Sequence, residues 1–237
     1  MRVLAAINHD LCDAGVFGDE TIAAGHQFDE WQPSEAPLPR PLADYDAVIS
    51  FGGGMQADED QRHPWIRTAL DVLQQSLQRG VPTLGVCLGG QLLARAAGGT
   101  VGPAPRAEAG FDEVELTDAG QQDPLFAALP RTLPVYQWHS YSFGLPPDGV
   151  ALASSPVCLQ AFRVGRRAWG LQWHPEVTSE SALMWAQLAI PAVDGVPVDL
   201  DLAQHAVAVA ERMQQANQDG RELCRRFLQL AEEPRAD

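Results

Sequence analysis

The segment Gly85-Val-Cys-Leu-Gly-Gly-Gln91 constrains the fold of this 237-residue chain more than any other. The apolar run 81–86 leads into it and has the length of a short buried strand. Residues 88–97 follow with apolar side chains at helical spacing, and Gly98-Gly99 is a typical helix stop. Cys87 therefore stands at a sharp strand-to-helix turn, where small neighbours tolerate crowding and unusual backbone angles.

Cys87 is a candidate nucleophile because of this position. A thiol at a helix N-terminus lies at the positive end of the helix dipole, which favours the reactive thiolate. The serine of a nucleophile elbow is held by the same strand–turn–helix geometry. A single cysteine is more often a buried structural residue, so the assignment depends on the other motifs of the chain. The other cysteines belong to no paired motif and are predicted to be structural: Cys12, Cys158 and Cys224.

The elements before the turn predict an α/β fold. Three strands are predicted over 2–8, 26–31 and 46–51, with helices over 19–24 and 63–79. This βαβαβ order is typical of a flavodoxin-like, open and mostly parallel sheet with helices on both faces. Sites in such folds lie beyond the carboxyl ends of the strands. Gly52-Gly53-Gly54 and Cys87 both follow strands, so we expect them to meet.

The second half of the chain predicts a small mixed or antiparallel extension of the sheet. Its predicted strands cover 111–116, 135–142, 150–153, 159–164 and 168–173. A helix is predicted over 179–189, and proline breaks the pattern between 191 and 197. Two C-terminal helices are predicted over 199–217 and 220–233. We therefore divide the chain into a domain over 1–190 and a C-terminal helical extension over 191–237.

The motif Gln172-Trp-His-Pro-Glu176 provides partners for the cysteine. Pro175 restricts His174 to an extended backbone, and Glu176 can accept a ring N–H and set the tautomer. A thiolate, an imidazole and an orienting carboxylate form the general arrangement of cysteine acyl transfer. Backbone N–H groups of Leu88 and of the glycines at 53 and 54 are candidates for an oxyanion hole.

Together these motifs resemble those of class I (triad) glutamine amidotransferases. Phe51-Gly-Gly-Gly-Met55 and His63-Pro-Trp65 are similar to the GMP-synthase-like branch, and the resemblance covers about residues 1–190. It implies hydrolysis of the side-chain amide of glutamine through a γ-glutamyl thioester on Cys87, with release of ammonia. It further implies that His174 moves the proton while Glu176 orients it. The resemblance also places Gly53, Gly54 and Leu88 in the oxyanion hole and lets Gln91 contact glutamine.

A second resemblance concerns substrate binding. Gln137-Trp-His-Ser-Tyr141 resembles the His-Ser element with which anthranilate-synthase-type relatives hold the substrate α-carboxylate, which implies this role for His139 and Ser140. The alternative is a strand-end pair on the protein surface. Tyr141 stands where GMP-synthase-like relatives usually have an acidic residue, so the contact with the α-amino group is expected to differ. Gly54 stands where many relatives have proline.

Composition limits the partners. The net charge is −15, and all 16 basic residues are arginine, which argues against non-specific nucleic-acid binding and excludes lysine-based covalent catalysis. There is no apolar run of about 18 residues for a membrane span and no signal peptide, so a cytoplasmic protein is expected. The sequence shows no metal-ligand cluster or nucleotide motif, and no cofactor is expected.

Three functions remain open on the sequence alone. The first is a glutaminase that supplies ammonia to a separate synthetase subunit, since the residues after 190 are too few for an acceptor-activating domain. The second is a stand-alone hydrolase of γ-glutamyl peptides or amines. The third is a non-catalytic binding module, which the intact triad disfavours. The C-terminal helices would either dock a partner or cap the core.

Overall fold

The computed structural model describes residues 1–189, 192–193, 196–197 and 200–234. The main sheet contains β1 (Arg2–Ala6), β2 (Gln27–Trp31), β3 (Ala47–Ser50), β4 (Thr83–Val86), β5 (Val101–Leu116), β6 (Thr132–Phe143), β7 (Val150–Ser154), β8 (Leu159–Val164) and β9 (Ala168–Leu171). The helices are α1 (Gly15–Ala23), α2 (Trp65–Gln78), α3 (Leu88–Ala96), α4 (Asp118–Gln122), α5 (Ser179–Ala189) and α6 (Leu202–Glu232). A short 3-10 helix covers Leu42–Asp44, and β10 (Ala192–Val193) pairs with β11 (Val196–Pro197).

The sheet confirms the predicted fold class. Its order is β2-β1-β3-β4-β9-β8-β7-β5-β6. Neighbouring strands from β2 to β9 run parallel, in the 2-1-3-4-5 order of flavodoxin-like sheets. Beyond β9 each pair is antiparallel. Four of the five strands predicted for the second half form this extension, namely β8, β7, β5 and β6, whereas β9 joins the parallel part of the sheet beside β4.

Strand β5 is where the prediction was most incomplete, because it begins at Val101 and not at Phe111. Pro103 and Pro105 make this stretch a poor strand by local preference. The structure accommodates them with a shift of register against β6 between Pro103 and Glu108. Pairing with a long partner strand therefore overrides the local preference.

The two faces of the sheet carry separate cores. On one face, Phe17 of α1 and Phe227 of α6 pack with inward side chains such as Val3 and Ile49. On the other face, side chains of α2 and α3 pack against Leu4 of β1 and Val48 of β3. The helix residues of this second core include Ile66, Leu73 and Leu92. This arrangement confirms helices on both faces, and it places the sheet's carboxyl ends at one edge.

The C-terminal segment differs from the prediction of two helices, because α6 is continuous from Leu202 to Glu232. Gly220, the predicted break, lies inside the helix, where a Cβ atom would stand 2.0 Å from the carbonyl oxygen of Pro175. The missing side chain thus permits close approach of the helix to the loop after His174. The same helix buries Leu223, Cys224 and Phe227 in the core. Of the two roles considered, capping the core is the one that these contacts show.

The proposed boundary between residues 190 and 191 lies outside the described residues, and the division into two domains stays a prediction. Across the described ranges we find no helix whose length and apolar content would suffice to cross a lipid bilayer.

Candidate active site

Cys87 occupies a strained turn between β4 and α3. Its φ is 51° and its ψ is −112°, a backbone conformation that residues other than glycine rarely adopt. The expected crowding is present: a Cβ atom at position 89 would lie 1.9 Å from the carbonyl oxygen of Ser50. The unusual backbone angle, however, belongs to Cys87 itself and not to the glycines around it. Strain of this kind is typical of residues held for function.

His174 and Glu176 form a buried pair beside this turn. The Nδ1 atom of His174 lies 2.8 Å from Oε1 of Glu176, and both side chains are almost fully buried. The other ring nitrogen, Nε2, has no hydrogen-bond partner in the described part of the chain. The structure therefore brings together the three residues that the sequence motifs single out, with one ring nitrogen left for a reacting group.

The charge state of His174 follows from its neighbours. Burial favours the neutral ring and lowers the pKa. The negative charges of Glu176 and Cys87 outweigh this effect and hold the pKa of His174 well above its ordinary value of 6.5. An imidazolium at neutral pH is the form that stabilises a neighbouring thiolate and can donate a proton to a leaving group.

The glycine loop after β3 lies against the same turn. A Cβ atom at position 52 would stand 2.9 Å from Cε1 of His174, and one at position 53 would stand 2.6 Å from Cδ2 of Leu88. Asn8 anchors the start of the loop by donating from Nδ2 to the Phe51 carbonyl oxygen at 2.7 Å. Gly53 thus lies close to Leu88, and Gly53 and Gly54 line the same cavity as Cys87. Their role in an oxyanion hole stays a prediction.

A line of hydrogen bonds leads away from the thiol. Gln172 donates from Nε2 to Sγ of Cys87 at 3.7 Å. The Nε2 atom of Gln91 donates to Oε1 of Gln172 at 3.4 Å and to the Tyr141 carbonyl oxygen at 3.0 Å. The Tyr141 hydroxyl donates to Oδ2 of Asp58 at 3.0 Å. Gln172 and Asp58 were not among the predicted site residues. Strand alternation could have identified Gln172, since it precedes His174 by two positions.

The carboxylate of Asp58 lies beside the Tyr141 hydroxyl. Burial and this neighbouring negative charge raise the pKa of Tyr141 above its ordinary value, so the phenol stays protonated and acts as a donor. The loop after β3 therefore places a carboxylate beside position 141, where the family resemblance leads one to expect an acidic side chain. No sequence signal marks Asp58, because the contact spans 83 residues.

His139 and Ser140 are buried within β6, so the alternative of a strand-end surface pair is wrong. Neither residue lines the cavity over Cys87. The Nε2 atom of His139 lies 3.0 Å from Oε2 of Glu108, and its Nδ1 lies 3.0 Å from the Tyr141 carbonyl oxygen. Burial raises the pKa of Glu108, but the hydrogen bond and charge of His139 outweigh it and hold that pKa below its ordinary value. The role of His139 and Ser140 in holding an α-carboxylate stays a prediction.

The same cluster is the place in the described chain where a metal ion could be held. Ligand atoms of Glu108, His139 and Cys158 lie within 4.8 Å of one another. Gln160 already donates from Nε2 to Glu108 at 2.9 Å and to Sγ of Cys158 at 3.4 Å. Burial and the charge of Glu108 raise the pKa of Cys158 to about 12, which keeps the thiol protonated. These bonds give the cluster a structural role without an ion.

A cavity of about 190 Å³ opens over Cys87 and His174. Beyond the predicted residues it is lined by side chains that sequence reasoning missed: His9, Leu11, Cys12, Trp138, Trp185 and Leu188. Trp185 packs edge-on to His174 with ring centroids 4.9 Å apart, and its Nε1 donates to the Leu11 carbonyl oxygen at 2.7 Å. Cys12, which we expected to be structural, therefore lies at the site. These lining residues lie far apart in the sequence, so no local pattern predicts that they meet, although Trp138 belongs to the motif over residues 137–141.

The fold and the site together define a class of protein. It is an α/β protein in which a cysteine at a strand-to-helix turn lies beside a histidine–carboxylate pair. The Glutamine amidotransferase class-I family model matches residues 23–184, and the chain belongs to this family. The resemblance inferred from the motifs is thereby confirmed.

Individual relatives agree with the assignment. The chain is 31% identical to the glutamine amidotransferase-like protein YfeJ of Salmonella typhimurium, over 76% of this chain and 78% of that protein. It is 35% identical to a subunit of the glutamine-hydrolysing GMP synthase of Methanoregula boonei, over 62% of this chain and 73% of that protein. A crystal structure of a glutamine amidotransferase from Thermotoga maritima superposes with a TM-score of 0.83 at 26% identity, covering 98% of this chain and 99% of that one.

Proposed function

We propose that this chain hydrolyses the γ-amide of L-glutamine, or of another γ-glutamyl compound, through a thioester on Cys87. The observation that carries the proposal is the convergence of a strained strand-to-helix cysteine and a buried histidine–carboxylate pair in one cluster. Family membership supports it, since the same motifs define the resemblance.

The reaction uses the three residues in distinct roles. The Cys87 thiolate attacks the γ-carbonyl carbon and forms a C–S bond. The tetrahedral intermediate then loses its C–N bond, and the imidazolium of His174 gives its proton to the leaving nitrogen. Water attacks the thioester next, His174 accepts a proton from it, and the γ-carboxylate product leaves with the thiolate regenerated. Glu176 holds the ring and stabilises its charge throughout.

The oxyanion is assigned to backbone N–H groups of Gly53, Gly54 and Leu88. The first N–H groups of a helix have no acceptor within the helix, so Leu88 presents a donor at the start of α3. The contact between position 53 and Leu88 supports a common target for both donors. Donors fixed in this way stabilise charge that develops only during the reaction.

The glutamyl end of the substrate is assigned to the region of Gln91, Tyr141 and Asp58. The hydrogen bonds from Cys87 through Gln172 and Gln91 to Tyr141 support this placement. The carboxylate of Asp58 has the charge needed to bind an α-ammonium group. Gln91 acts here by holding the Tyr141 segment as well as by contacting substrate.

The acceptor of the ammonia distinguishes two forms of the proposal. Transfer to a separate synthetase is supported by the relatives whose names describe one subunit of a glutamine-hydrolysing GMP synthase. A stand-alone γ-glutamyl hydrolase is supported by the cavity, which continues past His174 along side chains that a small product such as ammonia does not need.

The test incubates the purified chain with L-glutamine and measures ammonia release in a coupled assay. In parallel, intact-mass spectrometry detects a γ-glutamyl adduct on the protein. We expect release and an adduct in the wild-type chain and neither with Cys87→Ala. Absence of both from a folded wild-type chain, with every γ-glutamyl compound tried, would contradict the enzyme and leave the non-catalytic binding module.

A further inference from the structure

We infer that the preferred substrate is a γ-glutamyl amide whose leaving amine carries an uncharged, apolar or aromatic substituent. This inference rests on the proposed function, since it concerns the second half of the same cavity. It is argued from which wall of the cavity faces the leaving group and from the chemistry of that wall.

His174 identifies the leaving-group side. The residue that protonates the leaving nitrogen must lie within hydrogen-bond reach of it. The substituent on that nitrogen therefore extends past the imidazole into whatever surrounds it. Trp185 packs on the ring, and Cys12 lies close by, since a Cβ atom at position 52 would be 2.9 Å from His174 and 3.8 Å from Sγ of Cys12.

The wall beyond His174 is apolar and aromatic. Trp138 and Trp185 lie with ring centroids 6.4 Å apart, and Leu11 and Leu188 complete the mouth. Among the described lining residues none is aspartate, glutamate or arginine, and besides His174 the one ionisable ring is His9, which lies beside Gly54. Against the indole rings and leucine side chains of this wall, a carboxylate or ammonium on the leaving amine would lose hydration and find no ionic partner, which is costly. A hydrocarbon substituent would instead be covered by rings and methyl groups.

The rim supports the same substituent. Leu11 is 39% exposed and Leu188 is 59% exposed, so two of the more exposed large apolar side chains flank one opening. A ligand that reached the rim would remove both from water.

The experiment compares kcat/KM of the full chain for four substrates: L-glutamine, γ-glutamylethylamide, γ-glutamylbenzylamide and γ-glutamylglycine. We expect the benzylamide to exceed both glutamine and γ-glutamylglycine by at least about tenfold, with the ethylamide between, because buried apolar groups discriminate on this scale. Ethylamine and benzylamine both leave from an unhindered CH₂ group, so their comparison reports on the wall.

Variants at the rim locate the effect. Leu188→Glu should lower the ratio of benzylamide to glutamine kcat/KM by at least about tenfold. Leu145→Glu is the matched control, because Leu145 is 46% exposed and lies outside the cavity lining; it should leave the ratio unchanged.

The outcomes separate the two proposals. Equal turnover of all four compounds, with an adduct on Cys87, would overturn the leaving-group inference and leave the thioester mechanism intact. A Leu188→Glu variant with an unchanged ratio would overturn the assignment of the wall. If no compound forms an adduct or is hydrolysed by the folded chain, the proposed function fails, and the inference fails with it.

Discussion

The Nδ1 atom of His174 lies 2.8 Å from Oε1 of Glu176, and both side chains are almost fully buried beside the cavity over Cys87. This contact fixes the ring and leaves Nε2 for the reacting group. It also contributes to the raised pKa of His174, since burial alone would lower that pKa. Both the geometry and the charge of the site therefore depend on one carboxylate.

Removing the carboxylate charge should change both the rate and its pH dependence. Glu176→Gln should lower kcat by about 10²- to 10⁴-fold, less than Cys87→Ala. Activity that requires the imidazolium is lost as the pH rises through the pKa of His174. Without Glu176 that pKa falls, so the alkaline limb of kcat/KM moves to lower pH. Glu180→Gln, an exposed change on α5, is the control. An unmoved alkaline limb would show that Glu176 does not set the charge of the ring.

The backbone strain at Cys87 predicts a difference between two inactive variants. Cys87→Ala and Cys87→Gly should both abolish turnover. A non-glycine residue at positive φ lowers the free energy of unfolding by about 1–3 kcal/mol. Replacing it by glycine removes this strain but loses up to about 1 kcal/mol through the greater chain entropy of the unfolded state. Cys87→Gly should therefore have the higher free energy of unfolding, by roughly 1 kcal/mol, in urea denaturation. Equal stability of the two variants would mean that the turn at φ 51° stores no strain.

The close approach of α6 to the active-site loop can be tested at one atom. Gly220→Ala places a methyl group where the Pro175 carbonyl oxygen would be only 2.0 Å away. We expect a loss of about 1–3 kcal/mol in the free energy of unfolding, together with lower kcat, because Pro175 adjoins His174. Gly102→Ala is the control, since nothing lies within 4 Å of a Cβ atom there. Full activity and stability in Gly220→Ala would contradict the contact.

A buried histidine predicts weaker folding in acid. His205 lies under Trp138 and Tyr136, and burial lowers its pKa below 6.5. Its neutral form contributes stability above the unfolded pKa, and this is lost as the pH falls through the folded pKa. The free energy of unfolding should therefore drop as the pH falls below about 6.5. His205→Gln should drop less than the wild type, whereas His63→Gln should follow it. Parallel curves for the wild type and His205→Gln would remove this cause.

The pair of Tyr141 and Asp58 predicts an effect on binding. Asp58→Asn removes the carboxylate that accepts the tyrosine hydroxyl at 3.0 Å. We expect KM for glutamine to rise about 10-fold or more while kcat changes little. The reason is that binding of the α-ammonium group by Asp58 would be equally strong in the ground state and the transition state, so its loss raises KM alone. Asp71→Asn, exposed on α2, is the control. Steady-state kinetics with unchanged KM would move the α-amino contact elsewhere.

Local sequence determined most of the parallel half of the fold. The apolar runs, the glycines after β3 and β4 and the helical spacing of α2 and α3 are short-range features, and each specifies its own backbone. The turn at Cys87 belongs to this group, because strand, cysteine and glycines are adjacent in the chain. The histidine and glutamate are likewise two residues apart, so a motif is enough to single them out.

Only the tertiary structure decided what surrounds these motifs. Strand β5 forms through residues with poor strand preference because β6 pairs with it. Helix α6 continues through Gly220 because residues on both sides of it pack in the core, and the glycine allows the close approach to Pro175. Asp58 reaches Tyr141, and Leu11 and Trp185 meet over His174, across separations that no local pattern encodes. The reactive atoms follow from neighbouring residues, whereas the walls of the cavity depend on how distant segments pack.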